Sequence, residues 1–274
     1  MTSGKREEPQ AGSADTPFPI RFVRESLAIA EVELKKLLRD PTEMFTRAVQ
    51  PVLWIVIFGQ VFSRVRGIPT GKISYLSFMA PGILAQSVLF SAIFYGIAVI
   101  WERDLGIIHK LLVSPARRMS LVFGKAISSG FRGVAQVVVI YVLALVMGVG
   151  LRWQAYALIG VLFSVVLGSA IFSTFSLIVA CIVKTRERFM GIGQLLTMPL
   201  FFASNAIYPL SLMPGWLQWF ARLNPLTYLV DSLRGLMIMG GHSIHSFGTD
   251  CGIMLLVFLL FLLIADRLYP TLVQ

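Results

Sequence analysis

Residues 76–100 read LSFMAPGILAQSVLFSAIFYGIAVI, a stretch without a single Asp, Glu, Lys or Arg. A run this long matches the roughly 20 apolar residues that a helix needs to cross the hydrocarbon of a bilayer. Five further runs resemble it. They lie at roughly 43–63 (around QPVLWIVIFGQVF), 121–150, 155–183, 190–210 and 249–266. Lys125 and Arg132 keep the first turns of the 121–150 run out of hydrocarbon, so GVAQVVVIYVLALVMGVG does the spanning there. Only 14% of the chain is charged and 56% is hydrophobic, whereas soluble domains carry about a quarter charged residues. The expected fold class is therefore an all-α polytopic membrane protein with six transmembrane helices.

Basic residues orient those spans. With the N-terminus inside, six of the 24 Lys and Arg face outward: Arg64, Arg66, Lys72, Arg152, Arg222 and Arg234. The other 18 fall on the cytoplasmic side, as the positive-inside rule requires. Both termini are expected in the cytoplasm, and the protein in the plasma (inner) membrane. The first external loop, RVRGIPTGK, runs against the bias. The formal charge of +10 is accounted for by cytoplasmic loops, and no nucleic-acid partner is expected.

Three segments flank the spans. Residues 1–19 are polar and Pro-rich with no apolar signal-peptide core, and read as a disordered cytoplasmic tail. Residues 20–40 place Val23, Leu27, Ala30, Leu34 and Leu37 at helical spacing among charged positions. This reads as an interfacial amphipathic helix, with a soluble coiled-coil arm as the alternative. The six-span permease domain would then cover 41–274. Residues 211–245 are apolar but cut by Pro214, Asn224-Pro225 and Gly240-Gly241. They read as short re-entrant helices between spans five and six, with Trp216, Trp219 and Tyr228 at headgroup level. Asp231 and Arg234 argue against a seventh full span, since a charge at mid-membrane depth costs roughly 2.5–3.5 kcal/mol on insertion scales.

No catalytic motif is present: no phosphate-cradling G-x-x-x-x-G-K-[ST], no H-E-x-x-H and no G-x-S-x-G. Catalytic residues and bound cofactors are expected to be none on this chain. Cys181 and Cys251 read as small apolar packers near opposite membrane faces. His242 and His245 form an H-x-x-H with Asp250 nearby. Without a fuller ligand set they read as solvated loop histidines, and no metal site is expected. At depth only uncharged polar groups appear: Gln60, Gln86, Ser87, Ser91, Gln136, Gln194 and Asn205. They either line a path or hydrogen-bond between helices. Gly160, Ser164 and Gly168 recur every four residues, a stripe that reads as helix packing.

A chain built to move something but lacking an energy source needs a partner. The segment WERDLGIIHKLLVSPARR (101–118) lies between spans two and three, in the expected cytoplasm. Leu105, Ile108 and Leu112 form a short apolar stripe. Glu102, Arg103, His109 and Lys110 form a polar rim, and Pro115 ends the helix. That pattern fits a helix docking in a groove of a soluble protein, or a passive helix on the headgroups.

APGILAQSVLFSAI (80–93), ERDLGIIHKLLVSPARR (102–118), FGK (123–125) and LNPLTYLVDSLRG (223–235) follow one another at characteristic spacing. In this the chain resembles the membrane (permease) subunits of ABC type 2 exporters, the drug-resistance and lipo-oligosaccharide permease group. The resemblance implies two paired permease copies, identical or paralogous, each docking a separate nucleotide-binding ATPase subunit that binds ATP and Mg. It implies a coupling helix over Glu102, Arg103, Leu105, Ile108, Lys110, Leu112 and Pro115. It also implies a translocation path through spans one, two and five, bringing in Gln60, Gln86, Asn205 and Tyr208. The implied cargo is an amphipathic drug, lipid or glycan-lipid. An ion-coupled secondary transporter and a non-transporting membrane assembly factor are the alternative readings.

Overall fold

The computed structural model describes residues 18–39, 46, 49–63, 73–108, 118–183 and 185–273. The expected tail over 1–19 and the basic loop 64–72 fall almost wholly outside the described residues. In chain order the helices are α1 (Phe18–Arg39), α2 (Val49–Phe62), α3 (Tyr75–Asp104), α4 (Arg118–Val146), α5 (Ala155–Ile182), α6 (Arg186–Phe202), α7 (Gly215–Leu223), α8 (Pro225–Met237) and α9 (Phe247–Leu268). The described residues contain no β-strand beyond one isolated bridge between Leu151 and Ile238.

Helices α3, α4, α5 and α9 are long and apolar enough to span a membrane. The chain is thus an all-α multi-pass membrane protein, with four full-length spans among the described residues where six are expected. The fold is centred on α3 and α5, which are mostly buried, while α4 and especially α9 keep much of their apolar surface outward. Small residues bring these helices together. A Cβ at Gly133 would lie 2.8 Å from Val165 and one at Gly130 3.0 Å from Val166, so α4 sits tightly on α5.

The two remaining expected spans are shorter helices. Helix α2 contains a π-helical turn, Trp54–Gly59, and it packs on the start of α3, where a Cβ on Gly59 would meet Leu76 at 2.5 Å. Helix α6 has 17 residues, about 26 Å at 1.5 Å per residue, against a hydrocarbon core of about 30 Å. The run expected over 190–210 therefore breaks early. Pro199 removes a backbone donor near the C-terminal end of α6, and residues 203–208 leave helical conformation. Ser204, Asn205 and Ala206 are nonetheless buried. Irregular backbone at membrane depth is tolerated only when covered by protein in this way.

Helix α1 spans nearly the segment predicted, but its apolar stripe divides. Ser26, Ala30 and Glu33 face the bundle, while Val23 and Leu27 remain exposed. A Cβ on Gly124 would lie 2.8 Å from the Ser26 carbonyl, so α1 lies almost backbone-to-backbone on α4.

The 211–245 segment does fold into short helices. In α7, Trp216, Trp219, Phe220 and Leu223 are exposed. Helix α8 is deeply buried, with Leu226, Leu229 and Leu233 in the core. The Gly160/Ser164/Gly168 stripe of α5 receives it: Cβ atoms at Gly160 and Gly168 would lie 2.7 Å from Leu236 and Leu229 respectively. Asn224 organises the entry to α8. Its Oδ1 accepts from the Leu226 N–H at 3.0 Å, and its Nδ2 donates to the carbonyls of Leu200 (2.6 Å) and Ala203 (3.3 Å) at the end of α6. One side chain thus caps two helices, satisfying donors and acceptors that helix ends leave open.

Candidate functional site

Two regions carry the sequence-predicted residues. The first is the end of α3. Glu102, in the last turn, is only 8% exposed. One carboxylate oxygen meets the ammonium of buried Lys125 in α4, and the other accepts from Lys36 of α1 at 2.8 Å. Lys36 also donates to Glu33 at 2.9 Å. Partial burial disfavours the charge on Lys36, but hydrogen bonds and attraction from Glu102 and Glu33 outweigh it and raise its pKa above the ordinary lysine value. Glu102 is thus an internal tie between three helices, not part of an exposed rim. Lys125 likewise is not solvated but paired.

The surface beyond this tie is mixed. Helix α3 stops at Asp104, and Gly106 turns the chain with φ +70°, a conformation that favours glycine. The predicted stripe therefore does not lie on one helix with Glu102. Leu105 is 67% exposed, whereas Ile108 is fully buried beside Leu121 and Tyr269. Asp104 accepts from Arg103 at 3.0 Å and from Arg186 at 2.7 Å, and the Arg186 guanidinium lies 3.6 Å over the Trp101 ring. Trp101, Leu105 and Ile107 are exposed apolar residues at this end of the molecule, Ile107 beside α1 in a groove lined by Val32 and Lys36. His109, Lys110, Leu112 and Pro115 lie outside the described residues. Arg186 and Trp101 escaped notice in the sequence because they join this face from two helices 85 positions apart.

The second region is a cleft of about 220 Å³ between the start of α2 and the middle of α3. Thr46, Gln50, Gln86, Ser87 and Ser91 supply its polar wall, and Phe90 and Phe94 its aromatic wall. Gln86 is buried with its carbonyl oxygen unsatisfied. The other predicted path residues are not in this cleft. Gln60 is exposed on α2, and Tyr208 donates to the Phe202 carbonyl at 2.5 Å. Asn205 is wholly buried with neither amide atom satisfied. Its backbone carbonyl accepts from Arg234 at 2.6 Å. The next residue, Ala206, comes so close to Gly82 of α3 that a Cβ there would collide with its backbone. Gln50 and Gln86, amides within apolar runs, and the hydroxyls of Ser87 and Ser91 are the sequence signal for the cleft. Gln86, Ser87 and Ser91 were recognised from the sequence, but Gln50 was not.

The ABC-2 type transporter family model matches residues 24–238. The chain belongs to this family. A protein of Cyanophora paradoxa named as a transport permease, ycf38, is 30% identical over 78% of this chain and 74% of its own length. The daunorubicin resistance ABC transporter permease protein DrrB1 of Streptomyces coeruleorubidus is 22% identical over 72% of this chain and 69% of its own. The inner membrane transport permease YadH of Escherichia coli strain K12 is 23% identical over 76% and 82%. As an ABC-2 permease, the chain is the membrane subunit of a transporter. The matched range takes in α8 as well as α3 to α6, so this buried short helix belongs to the family's unit.

Proposed function

We propose that this ABC-2 permease forms the membrane path of an ATP-driven exporter and docks a separate ATPase through the face around Trp101, Leu105 and Ile107. The supporting observation is the Glu102 tie behind that face. A displacement imposed on the exposed end of α3 would be transmitted to α1 through Lys36 and to α4 through Lys125, so three helices would move together. The buried Glu102–Lys125 pair gives this face a stiff base, and the turn at Gly106 separates the docking segment from the span. Residues 109–115 would complete the contact. The chain itself hydrolyses nothing, and ATP and Mg would be held by the partner.

The cleft supports an amphipathic cargo. Amide and hydroxyl groups on one wall and Phe90 and Phe94 on the other suit a molecule with a polar edge and an apolar body. A second permease copy would close the open side of α2, where Val49, Leu53, Val56 and Ile57 are exposed. Both termini would face the cytoplasm.

The test is co-purification with an ABC-type ATPase from the same genome, followed by Leu105→Asp and Ile107→Asp. Both positions are exposed, so the variants should fold, lose the ATPase and lose cargo-stimulated ATP hydrolysis. Association and stimulation that survive both changes would refute docking at this face.

A further inference from the structure

At the end of the molecule opposite Glu102, three side chains from distant positions meet. Asp231 is fully buried in the middle of α8. Its carboxylate accepts from the N–H groups of Ile244 (2.8 Å) and His245 (2.9 Å) and from the Ser243 hydroxyl (2.9 Å). These bonds fold the 243–245 turn over α8 and fix the position of the His245 ring. Its Nδ1 lies 3.5 Å from Asp231 and 3.6 Å from Asp250 in the first turn of α9.

Asp250 is the unexplained member. It is 0% exposed, yet neither carboxylate oxygen has a hydrogen-bond partner. Three neighbouring donor groups point elsewhere. The Ser243 hydroxyl goes to Asp231, the Thr249 N–H goes to Ser246, and Arg234 donates to the carbonyls of Asn205 and Phe78. The Nδ1 of His245 is also unsatisfied and too far from either carboxylate for a hydrogen bond. Two buried carboxylates side by side, one without a donor, are costly unless a cation or a shared proton joins them, and the metal titration below separates the two.

We propose that Asp231, His245 and Asp250 bind one divalent transition-metal ion of the zinc class. One ligand atom from each residue lies within 4.8 Å of the other two. Ligands about 2.0–2.2 Å from an ion at a tetrahedral angle stand roughly 3.4 Å apart, close to the two distances from His245. An imidazole with two carboxylates suits zinc better than calcium or magnesium, which favour oxygen alone. Three protein ligands leave the fourth position to water or another donor. The ion would lock the re-entrant helix α8 and its return turn to the last span.

The experiment uses the full-length chain in detergent, with any polyhistidine tag removed and metal stripped by chelation. It is independent of the proposed docking and transport, because no ATPase or cargo is present. Equilibration with zinc chloride should leave one zinc per chain after gel filtration and raise the unfolding temperature; magnesium chloride should do neither. His245→Ala and Asp250→Asn should each weaken zinc binding at least about tenfold, while His242→Ala leaves it unchanged. Folding of Asp250→Asn has its own control: without metal it should unfold no earlier than the wild type, since it removes a buried unpartnered charge. The proposal is overturned if the wild type retains no zinc, if the double variant His245→Ala/Asp250→Asn binds it as tightly, or if calcium or magnesium is preferred.

Discussion

Replacing Lys125 by Met tests whether the Glu102 tie holds its end of the bundle together. Methionine keeps the length and apolar stem of lysine but removes its charge. Glu102 would stay buried at 8% exposure, with Lys36 as its remaining ionic partner among the described residues. Breaking a buried pair by deleting one partner costs about 3–5 kcal/mol, because the other charge remains desolvated. Lys36 is half-exposed and adds only on the order of the 0.2–1 kcal/mol of a solvated pair. The loss should therefore fall near the lower end, about 3 kcal/mol, or roughly a hundredfold in the folding equilibrium at about 1.4 kcal/mol per tenfold. The double variant Glu102→Leu/Lys125→Met removes both charges and should recover most of the loss, as apolar replacements of buried pairs do. The assay is unfolding in mixed micelles by titration with a denaturing detergent, followed by circular dichroism for the wild type, both single variants and the double. A Lys125→Met protein as stable as the wild type, or a double variant as unstable as the single, would refute the reasoning.

Gly82→Ala should destabilise the bundle by about 1–3 kcal/mol, the usual cost of overpacking, because the new methyl group meets the Ala206 backbone; thermal unfolding in detergent reads it. Asn224→Ala removes the cap of α8 and two donors to α6 carbonyls, and should cost about 1–2 kcal/mol while increasing hydrogen exchange around residues 200–206. The Lys36 contact has a definite pH signature. Its folded pKa lies above the ordinary value of 10.5, so its contribution is complete below that value and lost only as pH rises through the raised one. The stability difference between the wild type and Lys36→Met should accordingly stay level from neutral pH up to about 10 and shrink above it, measured by unfolding at a series of pH values.

Helices were legible where local pattern decides them. The uncharged run at 76–100, the amphipathic 20–40 segment and the break at Asn224-Pro225 reappear as α3, α1 and the start of α8. Charges were harder to read because their partners are remote. Asp231 finds its donors 12 to 14 positions away, and Arg234 reaches a carbonyl 29 positions back. Seen alone they argue for a shallow helix, yet α8 is buried. Glu102 looks like a rim residue in sequence because Lys36 and Lys125 lie 66 and 23 positions off. The cleft was half visible: Gln86 stands out in its run, but its location opposite Gln50 depends on how α2 packs.

The π-helical turn at Trp54–Gly59 gives α2 a property that an unbroken α-helix would lack. A π-turn is one residue more than α-helical geometry requires, so it acts as an insertion folded into the helix. At 3.6 residues per turn, that residue is worth about 100° of rotation. Deleting one position from WIVIFG would leave a regular helix with its hydrogen bonds intact. It would also turn Gln50 and Pro51 about a quarter-circle away from α3, relative to the Phe58–Phe62–Tyr75 aromatic ladder that anchors the other end. Among relatives, a gap of one residue at this place would therefore change the α2 wall of the cleft while leaving every lining residue identical.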